Sequence, residues 1–211
     1  DHMTEVDNAL LERFEQEVWS KVPHLEENDG ETKVVNATPL VDITEDFKEC
    51  AKSIFKLNLD DADLKVFGKF DSTLLTGSIK VRPAANIIHD AIVTGKLKTG
   101  QTVIEATSGN FGIALGLLSK LELNVIALVS RKLQEGVFEE LRNGNIHTMD
   151  LDMDICPAPG MEGKQDLLVA KATAANVRSQ LSNFGFDTDI FDKESSEIES
   201  LLASQDIINL A

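Results

Sequence analysis

Hydrophobic side chains recur along the chain in two periods, and the change from one to the other organises it. Residues 8–22 (NALLERFEQEVWSKV) set Leu10, Leu11, Phe14 and Val18 at helical spacing. The polar stretch from His24 to Glu31 reads as a loop, and KVVNATPLVDI after it as a strand and a turn. EDFKECAKSIFKL (45–57) gives mixed signals, whereas LKVFGKF (64–70) alternates like a strand. From Lys80 onward strand and helix patterns take turns. Residues 79–94 carry Ile79, Ala84, Ile87, Ile88, Ala91 and Ile92 along one side of an amphipathic helix that GKLKTGQ stops. TVIEAT (102–107) and NVIALVS (124–130) are short apolar runs of the kind buried on both faces of a parallel sheet.

Helical patterns fill the gaps: FGIALGLLSKL (111–121) follows the first of these strands, and RKLQEGVFEELRNG, ended by Gly144, follows the second. NIHTMDLDM (145–153) is a third strand. The alternation predicts an α/β fold, a parallel sheet between helix layers (three-layer αβα), with its sites at the carboxyl ends of the strands. Beyond Cys156 the pattern weakens: CPAPG is a loop, QDLLVAKATAANVRSQL one helix and SSEIESLLASQDIINLA another, with DTDIF (187–191) the single strand candidate. Three segments are expected: an N-terminal helical segment (1–35), an α/β domain (36–155), and a loop and helical segment (156–211).

Charge and composition narrow the function classes. The 211 residues carry a formal net charge of −16, from 36 acidic and 20 basic side chains, which disfavours nucleic acid as a partner. No apolar run is long enough to span a bilayer, and no signal peptide opens the chain, so a cytoplasmic protein is expected. Cys50 and Cys156 form neither a disulfide framework nor a metal-binding spacing, and Cys156 has no adjoining basic residue to activate it. DLDMD (150–154) begins like a calcium loop but has Ile155 where glycine is needed and Met161 where glutamate is needed, so no metal is expected. His89 and His147 lack partners at ligand spacing, and Trp19 with Leu11, Phe14 and Val18 fits a dimer-facing stripe or the core equally.

Two short stretches bear on chemistry. In TGSIKVRP (76–83), Lys80 stands at the start of a helix, whose dipole it opposes. That field, with burial, turns an amine into a usable nucleophile. In TSGNFG (107–112) a turn of small residues joins a strand to a helix, and its N–H groups and hydroxyls suit a carboxylate. Taken singly, a solvated lysine and an ordinary turn with Ser108 as N-cap are the better readings.

Together they resemble a family. Ser78-Ile79-Lys80 with Arg82-Pro83, then Glu105-Ala106-Thr107-Ser108-Gly109-Asn110 with thirty positions between Lys80 and Asn110, resemble the cysteine synthase and cystathionine β-synthase group. ATPLVDI (37–43) and GIAL after the turn match too, so the resemblance runs from about residue 36 to residue 150. It implies the tryptophan-synthase-β-like fold (fold type II) and pyridoxal 5'-phosphate as cofactor. Lys80 would form the Schiff base with the cofactor and move the substrate's α-proton. Asn110 would bind the cofactor's ring hydroxyl, and Thr107, Ser108, Gly109 and Asn110, with Phe111 beside them, the substrate. The implied reaction is β-elimination and β-replacement on an activated L-serine (O-acetyl- or O-phosphoserine) or cysteine. Amino acids are the implied partners, with a homodimer or a complementing C-terminal half.

The sequence departs from the family's pattern in places. Phe111 stands where threonine is frequent, Val81 where an acid is, and Leu74-Leu75 where Asn-Pro is. Relatives making 2,3-diaminopropionate precursors also carry an apolar residue after the asparagine, which brings in a nitrogen nucleophile as an alternative. No GTGGT-like phosphate loop follows, and Gly160 and Gly163 do not replace it. The chain is therefore expected to be the N-terminal part of a longer enzyme, inactive by itself. The remaining alternative is a non-catalytic homologue or split subunit that binds a partner.

Overall fold

The computed structural model describes residues 5–152 and 164–210. Helix α1 (Asn8–Glu17) starts where the Asp7 carboxylate accepts the Leu10 N–H at 3.0 Å. The other Asp7 oxygen accepts the Thr99 N–H at 3.0 Å, which ties α1 to the turn ahead of the central sheet. These bonds, Thr99 first, hold the Asp7 carboxyl below its ordinary range. After a 3-10 turn at Trp19–Lys21 come β1 (His24–Asn28) and β2 (Glu31–Val35), then β3 (Leu40–Asp42), α2 (Thr44–Phe55) and β4 (Phe67–Lys69). Helix α3 (Val81–Val93) leads into β5 (Thr102–Ala106), α4 (Asn110–Leu115), β6 (Asn124–Ser130), α5 (Glu135–Asn143) and β7 (His147–Leu151). The chain then runs through α6 (Lys164–Ala172), α7 (Ala175–Asn183) and α8 (Ser195–Ala203) to β8 (Ile207–Ile208).

The central sheet is parallel, in the order β7-β6-β5-β8, with Thr102 opposite both Asn124 and Ile207, and Ile126 opposite His147. Its middle strands are buried on both faces, from Val103 to Glu105 and from Val125 to Val129, as the apolar runs require. Helices α3, α4 and α5 pack in series, with α1 against α3, while α6, α7 and α8 form a second group that reaches β5 and β7. The parallel pairs β5–β6 and β6–β7 are bridged by α4 and α5, which contact each other. The molecule is thus an α/β fold built on a parallel sheet. Strand order reverses at β5, which is flanked by β6 and the late-arriving β8, and such a reversal opens a crevice at the strands' carboxyl ends.

Several elements differ from expectation. The loop expected from His24 to Glu31 is half of a hairpin: β1 pairs antiparallel with β2 across Asp29 and Gly30, both at positive φ (51° and 82°). An Asp-Gly pair suits such a two-residue turn. The mixed stretch 45–57 is helix α2, and the helix expected over 111–121 becomes 3-10 from Gly116 to Leu121. The single helix expected over 165–181 is two, α6 and α7, and DTDIF lies in a 3-10 turn at Thr188–Asp192 instead of a strand. The last expected helix stops at Ala203, so that Ile207 and Ile208 can join the sheet. Ile79 lies outside α3 and is exposed, whereas Val81 takes its place on the buried side.

Glu105 explains how so short a strand as β8 is held. Its side chain is buried, and its Oε1 accepts the Leu210 N–H at 2.6 Å just beyond β8. Glu105→Ala is expected to lower stability by about 2 kcal/mol, because the Leu210 amide loses its buried acceptor. Urea unfolding measures the loss, and faster hydrogen exchange at the Leu210 amide localises it.

Candidate functional site

Lys80 sits at the end of a tight turn. Gly77 has φ +72°, a conformation that favours glycine, and its N–H donates to the Leu74 carbonyl at 2.8 Å. The Ser78 hydroxyl then accepts the Lys80 N–H at 3.3 Å, and Lys80 is the N-cap of α3. The burial expected for the lysine is absent: Lys80 is exposed, and its amine makes no hydrogen bond among the described residues. Beside this turn lies an open recess of about 430 Å³, lined by Gly68–Ser72 and Gly77–Ile79. Just before Gly77, the Thr76 hydroxyl is buried without a hydrogen-bond partner among the described residues.

A polar knot fixes the start of α3 to the strands before it. The Arg82 guanidinium donates to Asp71 Oδ1 at 2.7 Å and to Thr38 Oγ1 at 3.2 Å, and the Thr38 hydroxyl donates to the same Asp71 oxygen at 2.5 Å. The Lys69 amine donates to the Thr38 carbonyl. The hydroxyl of Thr38, then the Arg82 guanidinium, hold the Asp71 carboxyl below its ordinary value of 3.8. Sequence reasoning singled out neither Thr38 nor Asp71. Thr38 lies inside ATPLVDI and Arg82 inside the lysine motif, but the carboxylate that joins them carries no signal of its own.

The second stretch folds as a strand–helix turn whose cap is not Ser108. Gly109 is the N-cap of α4, at φ +143°. Thr107 does the capping from further back: its Oγ1 accepts the Gly112 N–H at 2.9 Å and, more weakly, the Gly109 N–H at 3.5 Å. Thr107 is buried and its own N–H donates to the Leu128 carbonyl at 3.0 Å, so it is fixed within the sheet. Gly112 is essential to this approach, since a Cβ there would stand 2.6 Å from Thr107 Cγ2. Ser108 and Asn110 are exposed, while Phe111 is half-buried and packs on the core.

Helix α3 runs into the amino end of β5 through residues 94–101, and the turn 107–110 follows the carboxyl end of β5. Helices α3 and α4 are in contact. Other candidates fall elsewhere. His89 lies on α3 and stacks on Trp19, and His147 lies on β7 with its ring edge to Phe184. Phe14 and Val18 are core residues, with Trp19 packed against that core. No cluster of metal-ligating side chains occurs among the described residues. Asp150 sits on the edge strand β7, whereas Cys156 and most of the failed calcium loop lie outside the described residues.

Two outcomes follow from this geometry. Asp71 has a lowered carboxyl pKa, so the stability it lends is present above 3.8 and is lost as pH falls through its folded value. Asp71→Asn is therefore expected to melt below the parent at neutral pH and together with it near pH 2, a comparison that calorimetry makes. Gly112→Ala is expected to cost about 1–3 kcal/mol through its clash with Thr107 and to weaken protection of the turn amides in hydrogen exchange.

With the site described, its relatives can be compared. The chain is 38% identical over 86 residues to a cysteine synthase of Aquifex aeolicus, covering 41% of this chain and 24% of that one. It is 34% identical to the N-(2-amino-2-carboxyethyl)-L-glutamate synthase of Ralstonia nicotianae, covering 39% of this chain and 25% of that one. The chain thus spans about a quarter of the length of these relatives. Among solved structures it is similar to a hydrogen sulfide-producing enzyme of Fusobacterium nucleatum, with a TM-score of 0.47 and 21% identity over 69% of this chain and 39% of that one. Residues 35–160 match the family described as pyridoxal-phosphate dependent enzyme, and the chain belongs to that family.

Proposed function

We propose that this protein takes part in β-elimination and β-replacement on an activated L-serine (O-acetyl- or O-phosphoserine) or on cysteine, with pyridoxal 5'-phosphate. The observation that supports the reading is the exposed Lys80 amine, unpaired among the described residues, at the start of α3, the helix that contacts the α4 helix begun by the Thr107–Asn110 turn. Three features support the cofactor: the Lys80 amine has no hydrogen-bond partner among the described residues, the Asn110 side chain is exposed, and a recess of about 430 Å³ lined by residues 68–72 and 77–79 lies beside the turn that leads to Lys80. That volume is in the range of small-molecule pockets. When bound, the cofactor supplies an electron sink for charge developing on the substrate's α-carbon.

The chain's own residues divide the remaining work. Lys80 would hold the cofactor, and its amine would take the substrate's α-proton and later return one. Asn110 would offer its side-chain amide to the cofactor's ring hydroxyl. Ser108 and the backbone around Gly109 hold the substrate carboxylate, which needs donors aimed at it from a fixed frame. Thr107 supplies that frame. Its oxygen already accepts from Gly112, and its own O–H proton remains for an arriving carboxylate. Phe111 packs on the core, so the carboxylate lacks the hydroxyl that a threonine at this position would offer.

A second reading follows from Phe111: an amino-acid nitrogen, in place of sulfide, adds in the second half-reaction. The glutamate-derived product in the name of the Ralstonia relative supports it. A homodimer, or a complementing polypeptide that supplies the rest of the pocket, belongs to the same proposal. Cofactor added to the protein and fixed by borohydride is expected to leave a pyridoxyl mass on the Lys80 peptide, absent in Lys80→Ala. A label spread over the surface lysines, or none, counts against the lysine's role. Serine esters offered with sulfide or with amino acids then separate the two nucleophiles by product mass. Amino-acid binding without any cofactor uptake would favour a non-catalytic homologue.

A further inference from the structure

We propose that Leu141 of α5 is a positioning residue for the Thr107–Asn110 turn, a role that rests on the reading of that turn as a holder of the substrate carboxylate. Helices α4 and α5 meet at three glycines, Gly109, Gly112 and Gly116, which have the spacing of one helical face. At Gly116 the approach is backbone to backbone, since a Cβ there would stand 3.6 Å from the Gly144 Cα. At Gly112 the added atom would meet Leu141 Cδ2 at 3.1 Å, tighter than ordinary contact. At Gly109 it would meet Val137 Cγ1 at 3.7 Å and Leu133 Cδ1 at 4.0 Å. Val137 and Leu141 lie one helical turn apart on α5, and Leu133, in the turn before it, extends the same apolar ridge. The ridge is rooted at the carboxyl end of β6, where the Leu133 N–H donates to the Ser130 carbonyl at 3.1 Å.

Leu141 acts through Thr107. The point where a Gly112 Cβ would stand is 2.6 Å from Thr107 Cγ2 and 3.2 Å from Thr107 Oγ1, as well as 3.1 Å from Leu141 Cδ2. The threonine and leucine methyls thus crowd the same side of Gly112. Both side chains are buried, so neither has solvent to move into. A β-branched side chain has few χ1 choices. With Leu141 in place the Thr107 methyl is confined, and the rotamer it keeps turns Oγ1 toward the Gly112 and Gly109 N–H groups, at 2.9 and 3.5 Å. Those bonds hold a turn whose Gly109 sits at φ +143°, a conformation that favours glycine and has to be fixed from outside. Shortening Leu141 gives Thr107 room to rotate. Its oxygen then leaves the amides, and Ser108 and Asn110 lose their common frame.

Amide-resolved hydrogen exchange on the full chain tests this route in Leu141→Val, in Leu141→Met and, as an equal shortening elsewhere in the core, in Leu181→Val on α7. The Gly112 amide is expected to exchange about tenfold faster in Leu141→Val, relative to the amides of β6. In Leu141→Met, which keeps the side chain's reach, it should stay within about threefold of the parent. Leu181→Val should leave it at the parent's value. O-acetyl-L-serine, followed through the chemical shifts of the Ser108, Gly109 and Asn110 amides, should bind Leu141→Val about tenfold more weakly and Leu141→Met as it binds the parent. An unchanged Gly112 amide in Leu141→Val, or an equal rise in Leu181→Val, overturns the proposal. Faster exchange with no loss of affinity overturns it too. A parent that does not respond to O-acetyl-L-serine overturns the carboxylate reading instead, and the exchange comparison still decides whether Leu141 sets the turn. Should Leu141→Val fail to fold, Leu141→Ile, which keeps the volume but moves the methyl, carries the test. A faster Gly112 amide there supports the proposal, and an unchanged one overturns it.

Discussion

A single carboxylate joins three separated parts of the chain, and the presentation of Lys80 rests on it. Asp71 accepts from Thr38, which precedes β3, and from Arg82, in the first turn of α3, while Lys69 closes on Thr38 from β4. Such a knot is needed because β3 and β4 form a sheet of only two strands, with three residue pairs between them. A ribbon of that size is marginal by itself. An exposed ion pair would add little to it. Here the charge is shared among a hydroxyl and a guanidinium in a half-buried setting, so geometry as well as charge is fixed. Tying Arg82 to the strands sets where α3 begins, and hence where the lysine two residues earlier emerges.

The sheet was legible because burial on both faces leaves a plain mark. Thr102–Ala106 and Asn124–Ser130 have almost no polar residue to spare, and the helix between α3's turn and β5 has the matching stripe. Elements that bury little left no such mark. Strand β1 is polar on four of its five residues, so it read as a loop although most of β2 read as a strand, and only the Asp-Gly turn betrays the hairpin. Strand β8 is too short to show a period, and its pairing depends on Glu105, far away in sequence. Of the candidate site, the two motifs were readable as spaced residue types. The Asp71 knot and the capping by Thr107 were not, because both depend on contacts the order of residues does not reveal.

Helix α2 shows why a correct period can still mislead. Phe47, Ala51, Ile54 and Phe55 fall on one helical stripe, as a core-facing helix requires. Yet Ala51 is the buried one, and Phe55 is 75% exposed. Leu40, Val41 and Phe67 on the two strands of the β3–β4 ribbon are exposed as well, so they take no part in the central core. The stripe thus has the spacing of a buried helix without a cover among the described residues, and the alternating charges between its members made the sequence signal look mixed.

The turn after β5 separates rigidity from chemistry. Thr107 spends its N–H on Leu128 and its oxygen on Gly112, and the absence of a Cβ at Gly112 lets α4 come close enough for that second bond. Because Thr107 satisfies the helix start from within the sheet, Ser108 is released from the capping duty that a serine at a helix start ordinarily performs. It and Asn110 are left exposed, and neither side chain is committed to a hydrogen bond among the described residues. Phe111, turned toward the core, secures the first turn of the helix from the other side. The scaffold thus meets its own needs with Thr107 and Phe111, the residues on either side of this pair.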